Sequence, residues 1–362
     1  MTDVQPPKLD PPKTGLLGWL QRRIPVPAEE LLQHLGSEPV PGHLKRWWWG
    51  LGGTAAILFL IQIVTGILLS FYYVPDPDVA YESVQNITDN VPFGWYLRSL
   101  HKWSANLMIV AVILHSMRVF FTGAYRAPRE LNWCVGAVIL IVTMVFGFTG
   151  YSLVYEQLSY WGATVAGNLT EAAPFIGPEL ARFIRGGDDI TGNTLTRFHV
   201  LHIGVLPTVM FALLALHFTL IRVLGVTEFR FKDQPEGKDH FPFFPDHFLT
   251  EVMLAVGLFV VLTCVAVIFP AGLEEKANPL VTPDHIKPEW YFFWTFRWLK
   301  LAGLNTAILS LGAVAGIFVF WPFIDGAIRR RKPDSELSVW LGIVAVIVLC
   351  TLTVWEAWVL AH

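Results

Sequence analysis

Charge is what this sequence has least of. Only 15% of its 362 residues are Asp, Glu, Lys or Arg, against 54% hydrophobic and 14% aromatic residues, and the mean hydropathy is +0.50. Soluble domains carry about 25% charged residues, so a soluble globular class is excluded. Cysteine is scarce as well: Cys134, Cys264 and Cys350 stand singly in or beside apolar runs. With no CxxC, no CxxCH and no ferredoxin spacing, the chain cannot hold its own iron–sulfur cluster or a haem attached through CxxCH. All three are read as small buried hydrophobes. The polar, Pro-rich stretch over residues 1–45 also lacks the cationic start, apolar core and small-residue cleavage site of a signal peptide, and none is read there.

What the sequence does have is apolar runs of about 20 residues, the length that crosses a hydrocarbon core of about 30 Å. They fall near 47–73, 96–121, 132–153, 200–224, 250–270, 302–324 and 337–359. The expected fold is an all-α membrane protein of seven transmembrane helices. Ahead of them, GLLGWLQRRIPVPAEELLQHL reads as an amphipathic helix lying on the membrane surface. Basic residues gather on alternate connections: Arg22, Arg23, Lys45 and Arg46; Arg118, Arg126 and Arg129; Arg222, Arg230, Lys232 and Lys238; Arg329, Arg330, Arg331 and Lys332. The opposite loops are acidic, with Asp76, Asp78, Asp89, Glu156, Glu171, Asp188, Asp189, Glu274, Glu275 and Glu289. Lys and Arg mark cytoplasmic loops, so the N-terminus is expected in the cytoplasm and His362 outside.

Span two opens on HKWSANLMIVAVILH, with His101 and His115 fourteen residues apart. In an α-helix that interval rises about 21 Å and returns to within roughly 40° of the same face. Span four offers His199, His202 and His217. On face alone His199 pairs with His217, whereas on height only His202 matches, at about 22 Å and roughly 60° of drift. Spans two and four run in the same direction, so His101 can face His202 near the outer surface and His115 can face His217 near the cytoplasmic one. Facing imidazoles are the axial ligands a haem requires, and two pairs at two heights imply two stacked b-type haems. Any one of these histidines alone is more simply a hydrogen-bonded interior residue; four at matched heights are not.

Glycine repeats the interval. Gly52 and Gly66 in span one, and Gly136 and Gly150 in span three, are each fourteen apart, and a flat plate between helices favours glycine at its level. Either pair alone would be read as ordinary helix packing. Arg98, Lys102 and Arg197 outside and Arg118 inside are candidates to pair with haem propionates, or else cations snorkelling to the interface.

These residues resemble the cytochrome b subunit of quinol-oxidising cytochrome bc complexes, most closely cytochrome b6 fused to subunit IV. The likeness rests on LGGTAAILFLIQIVTG, on RSLHKWSANLMIVAVILHSMRVFFTGAYRAPRELNW, FGFTGYSL and SYWGATV, on TLTRFHVLH with LLALHFTLIR, and on KPEWYFF. It divides the chain into a cytoplasmic segment over 1–45, a di-haem four-helix bundle over 46–225, a linker over 226–248 and a three-helix domain over 249–362. It implies His202 rather than His199 as ligand. It implies a quinol pocket at Pro288, Glu289, Trp290 and Tyr291, lined also by Tyr151 and a short helix near 157–167, with Glu289 accepting a quinol proton. Arg222 matches an arginine near the inner quinone site. Val154 and Tyr155 stand where relatives carry Pro after GYSL. Gly50 stands where cytochrome b6 attaches an extra haem through cysteine, so no covalent haem is expected.

The resemblance implies quinol oxidation on the outer side, with one electron passing to a Rieske iron–sulfur protein and one to the stacked haems. Quinone reduction inside, a proton gradient, a c-type cytochrome or similar acceptor, a homodimeric core amid membrane lipids and a bacterial cytoplasmic membrane follow from it. Two other readings keep fewer features. A di-haem anchor linking a periplasmic enzyme to the quinone pool needs the histidines but not PEWY, and a seven-span transporter would use the histidines as a proton path.

Overall fold

The structure is a computed structural model that describes residues 39–45, 50–227, 240–283 and 286–361. The surface helix expected within 15–35 and most of the 226–248 linker lie outside these residues. The chain forms two compact units, residues 1–50 with 228–254, and residues 51–227 with 255–362. In the first, β1 (Pro39–Pro41) pairs antiparallel with β2 (His240–Pro242), Val40 opposite Phe241. Proline has no N–H to extend a ladder, and the strands stop at three residues.

The second unit is helical. It contains α1 (Leu51–Ser70), α2 (Ala80–Asp89), α3 (Gly94–Phe121), α4 (Glu130–Ser152), α5 (Gln157–Glu171), α6 (Gly177–Arg185), α7 (Gly192–Val200) and α8 (Leu206–Leu224). After α9 (Phe248–Ile268), whose first turns belong to the other unit, come α10 (Phe293–Ala302), α11 (Leu304–Val319), α12 (Trp321–Arg331) and α13 (Leu337–Ala361). Local chemistry explains several boundaries. Thr191 and Thr194 form a reciprocal capping box at the start of α7, satisfying amides that have no partner within the helix. Gly186, at φ 79°, ends α6 in the left-handed conformation that glycine adopts without strain.

Among the described residues, six helical stretches are long and apolar enough to span a bilayer, and the bent pair α11 and α12 gives a seventh. This corrects the continuous run expected over 302–324. The helix breaks after Val319 and resumes at Trp321, bent by 66°, because Pro322 near the new N-terminus cannot donate back and would clash with the preceding turn. Span four is likewise composite: α7 and α8 are joined through a single π-helical turn, Leu201–Val205.

Within this unit α1 packs on α3, α4 on α8 and α3, and α10 on α13. An apolar core of Leu58, Phe59, Leu100, Met108, Val112, Ile139 and Met210 fills the first four spans. Side chains such as Leu60, Ile67, Phe211 and Val344 point outward. A helix apolar on every side suits a hydrocarbon solvent, where the backbone must satisfy itself.

Candidate functional site

The four helices bring the histidines together in pairs. The rings of His101 and His202 face each other with centroids 6.4 Å apart and planes at 69°. An imidazole nitrogen binds a transition metal at about 2.0 Å, so rings on opposite sides of one ion have centroids roughly 6 Å apart. The observed spacing fits that requirement. His115 lies within electrostatic reach of His217 at the other level. His199 instead packs its ring on Tyr73 at 5.3 Å. The π turn explains why the fifteen-residue interval works. The Leu206 amide bonds back to Leu201 O, five residues away rather than four, and so absorbs one residue. The interval then behaves as fourteen, and the drift of roughly 60° calculated for a regular helix gives way to the roughly 40° of span two.

Each glycine lies against one imidazole. A Cβ on Gly66 would sit 3.3 Å from His101 Cε1, on Gly150 2.7 Å from His202 Cε1, on Gly52 3.2 Å from His115 Cε1, and on Gly136 3.4 Å from His217 Cε1. Their absent side chains therefore make room for the rings themselves.

At the outer level the rings are also oriented. Thr65 Oγ1 donates to Ile61 O and lies 2.8 Å from His101 Nδ1. Thr149 Oγ1 donates to Val145 O and lies 3.0 Å from His202 Nδ1. Because each hydroxyl hydrogen is directed to a carbonyl, each Oγ accepts from Nδ1–H, which leaves the Nε2 lone pair for a metal. Gln62 adds a 2.7 Å bond to His101 O. Nothing in the histidine spacing pointed to these threonines, although the dipeptide Thr-Gly occurs at 65–66 and again at 149–150. The donor geometry and the cleared space both fit a haem.

The cations fall into different roles. Arg98 is committed to protein: its guanidinium donates to Ala271 O at 2.8 Å, Gly272 O at 2.5 Å and the Thr88 hydroxyl at 3.2 Å. It anchors the loop after α9 rather than presenting a free fork to a propionate. Arg118 lies one turn from His115, 3.5 Å from its Nδ1. Arg222 is exposed near the end of α8. Arg197 lies over the Phe183 ring.

The outer pocket assembles around the 3₁₀ turn Trp290–Phe292. Tyr291 is buried, and its hydroxyl lies where a Cβ on Gly147 would be, at 2.9 Å. Gly147 precedes Gly150 by one turn of α4, so Tyr291 reaches the level of His202. Gly147 was not singled out from the sequence. Trp290 Nε1 donates to Asn106 Oδ1 at 2.6 Å, tying the turn to α3. Glu289 is half-buried, and burial raises its carboxyl above the usual carboxylate range, with Lys102 opposing. Burial likewise raises the Tyr291 hydroxyl. Tyr151 lies in the electrostatic field of Glu156, Glu289, Glu274 and Tyr291. The expected short helix is α5, and Glu156 Oε2 before it accepts from Glu274 N at 3.0 Å.

Residues 35–225 match the family described as cytochrome b/b6/petB, and residues 276–359 match that described as cytochrome b(C-terminal)/b6/petD. The chain belongs to the cytochrome b family. It is 36% identical over 354 residues to the cytochrome bc complex cytochrome b subunit of Chlorobaculum thiosulfatiphilum, covering 96% of this chain and 81% of that one. It is 42% identical over 212 residues to cytochrome b6 of Heliobacterium modesticaldum, covering 59% of this chain and 99% of that one. A solved structure titled hyperthermophilic respiratory Complex III shares the fold, with a TM-score of 0.76 at 24% identity over 94% of this chain and 97% of that one. In this cytochrome b, the b6-like part and the subunit IV-like part are fused in one polypeptide of a bc/b6f-type complex. Membership of the family implies b-type haems and an oxidoreductase role in a multi-pass membrane subunit.

Proposed function

We propose that this cytochrome b oxidises quinol in the outer pocket, passing one electron to a Rieske iron–sulfur partner and one into its own transmembrane path, and reduces quinone at the cytoplasmic face. One observation carries the reading: the buried Tyr291 sits against Gly147, one turn from the glycine that abuts His202, so the PEWY turn and the outer imidazole pair meet. His101 with His202, and His115 with His217, would each hold a non-covalent b-type haem, and such haems would supply one-electron transfer between the two surfaces.

The chain's own residues do the rest. Oxidation of a quinol releases two electrons and two protons. Glu289, raised by its half-buried position, is a base of suitable strength for one of those protons. Tyr291, Trp290 and Tyr151 wall the pocket against water. Thr65 and Thr149 hold the outer imidazoles in one orientation and tautomer. Arg118 and Arg222 supply positive charge on the inner side. Protons released outside and taken up inside build a gradient. The subunit sits in a bacterial cytoplasmic membrane with its N-terminus in the cytoplasm, within a homodimeric core that delivers electrons to a c-type cytochrome or similar acceptor. With glycine at position 50, no covalent haem is expected. A di-haem anchor has no use for the PEWY turn, so that alternative is not favoured.

The test is Glu289→Gln in the purified complex. Quinol turnover is expected to fall by about 10²- to 10⁴-fold, the range for loss of a general base, while a redox titration still shows two b-haem transitions. The wild-type rate should rise with pH as Glu289 ionises above the ordinary carboxylate range, and this limb should be absent from the variant. Unaltered turnover, or a single haem transition in the wild type, would overturn the proposal.

A further inference from the structure

Glu356 is a carboxylate inside the last membrane span, and it is fully buried. An ionisable group at membrane depth is costly and is kept for a purpose. Its Oε1 accepts from Lys300 Nζ at 2.6 Å, and its Oε2 lies 3.6 Å from Arg297 Nη1. Arg297 in turn lies over the indole of Trp355, 3.9 Å from the ring centroid, a cation–π contact that strengthens away from water. One anion thus holds two cations, both on α10. Among the described residues no hydrogen-bond partner meets Glu356 Oε2 or Arg297 Nε, and the bond to Lys300 and the stacking on Trp355 fix the arrangement.

The location gives the cluster its meaning. Helix α10 begins at Phe293, directly after the Trp290–Phe292 turn, and α13 packs on both the turn and the helix. No loop separates Glu289 and Tyr291 from the residues that Glu356 holds. Rotation or sliding of α10 on α13 would carry Glu289 and Tyr291 with it. An apolar contact between the two helices would resist such sliding weakly, whereas a fully buried carboxylate bound to two cations fixes register, a documented use of buried charge.

We propose that Glu356 is a positioning residue for the outer quinol pocket, holding Lys300 and Arg297 so that α10 presents Glu289 and Tyr291 at the level of His202. The inference rests on the assignment of that pocket to quinol oxidation. A misplacement of about 1 Å can cost a reaction 10²-fold, so the clamp acts on turnover without touching substrate.

The experiment is steady-state oxidation of duroquinol by the purified complex with cytochrome c as acceptor, beside a redox titration of the haems. Glu356→Gln is expected to lower kcat/KM at least tenfold with both b-haem transitions unmoved. Glu356→Asp, which keeps the charge, is expected to recover to within about threefold of wild type. Glu356→Gln leaves the mostly buried Arg297 and the partly exposed Lys300 without an anion, so the double variant Glu356→Gln with Lys300→Gln, which restores the cluster's net charge, provides the measurement if the single variant does not assemble. It too is expected to show the tenfold loss. Wild-type kcat/KM in the double variant, or haem transitions shifted together with turnover, would overturn the proposal. Glu289→Gln in the same series separates the two claims: if it is inactive while Glu356→Gln behaves as wild type, only the clamp fails, and if it turns over normally, the pocket assignment fails.

Discussion

A single methyl group distinguishes the four glycines that face the imidazoles. Alanine at 150 would place its Cβ 2.7 Å from His202 Cε1, nearer than carbon atoms can pack, whereas alanine at 136 would sit 3.4 Å from His217 Cε1. Overpacking of this kind costs about 1–3 kcal/mol where the neighbour cannot move, and an imidazole held by Thr149 at 3.0 Å cannot move far. Gly150→Ala is therefore expected to shift or abolish the outer haem transition in a redox titration and to leave the inner one. Gly52→Ala and Gly66→Ala should be milder, and Gly136→Ala the mildest. Gly316→Ala, with nothing within 4 Å of its added carbon, is the neutral control. Equal effects at all four positions would contradict the graded contacts. The fourteen-residue glycine interval was legible from sequence, but its physical cause was only partly so. Spacing locates a level, and only coordinates show that the glycine at each level abuts the ring as well as leaving a gap between helices. The threonines next to Gly66 and Gly150 were hidden for a similar reason: a hydroxyl within a membrane helix commonly bonds its own backbone, and nothing in the sequence tells which one also meets a histidine.

At the scale of an element, the π turn in span four decides which histidine can serve. Regular-helix arithmetic gave His202 the right height and the wrong angle, and gave His199 the right angle and the wrong height. Leu201–Val205 resolves the conflict by taking one extra residue into the turn. Removing Gly204, which has no neighbour within 4 Å of a would-be side chain, is expected to convert this turn to α-helix and keep His202 and His217 on one face fourteen residues apart. Both b-haem transitions should survive. Removing Ala212 instead rotates His217 by about 100° relative to His202 and should eliminate the inner transition. Loss of the inner haem in the Gly204 deletion would refute the role given to the turn. Other elements escaped the sequence for related reasons. The break between α11 and α12 lay inside an unbroken apolar run, and Pro322 was the one sign of it. Arg98 looked available because its acceptors, the carbonyls of Ala271 and Gly272, carry no side-chain signature. Glu356 carries no sequence signal beyond its place in an apolar span, since its partners Lys300 and Arg297 lie more than fifty residues earlier.

For the whole molecule, the direction of the spans decides on which surface the proposed quinol pocket lies. As membrane spans, the six long helices and one bent pair among the described residues would place successive connections on alternate sides. The connections after α3, after α8 and after α12 are basic, the last with Arg329, Arg330, Arg331 and Lys332. Those holding Glu156, Glu274 and Glu289 are acidic. Lys and Arg within about 15–20 residues of a span end are retained in the cytoplasm, so the PEWY turn and the His101–His202 level are expected outside. The acidic side is also where the structure gathers α5, the loop anchored by Arg98 and Tyr151, which makes the charge rule and the site geometry point to one surface. Cysteine at Glu179, exposed in α6, is expected to react with a membrane-impermeant maleimide in intact cells once the outer envelope is opened. Cysteine at Asp334, exposed after α12, should react only after the cytoplasmic membrane is permeabilised, with the unsubstituted chain measuring any labelling of Cys134, Cys264 and Cys350. The reverse pattern would place quinol oxidation on the cytoplasmic face and invert the direction of proton release, so this labelling is the measurement on which the sign of the gradient depends.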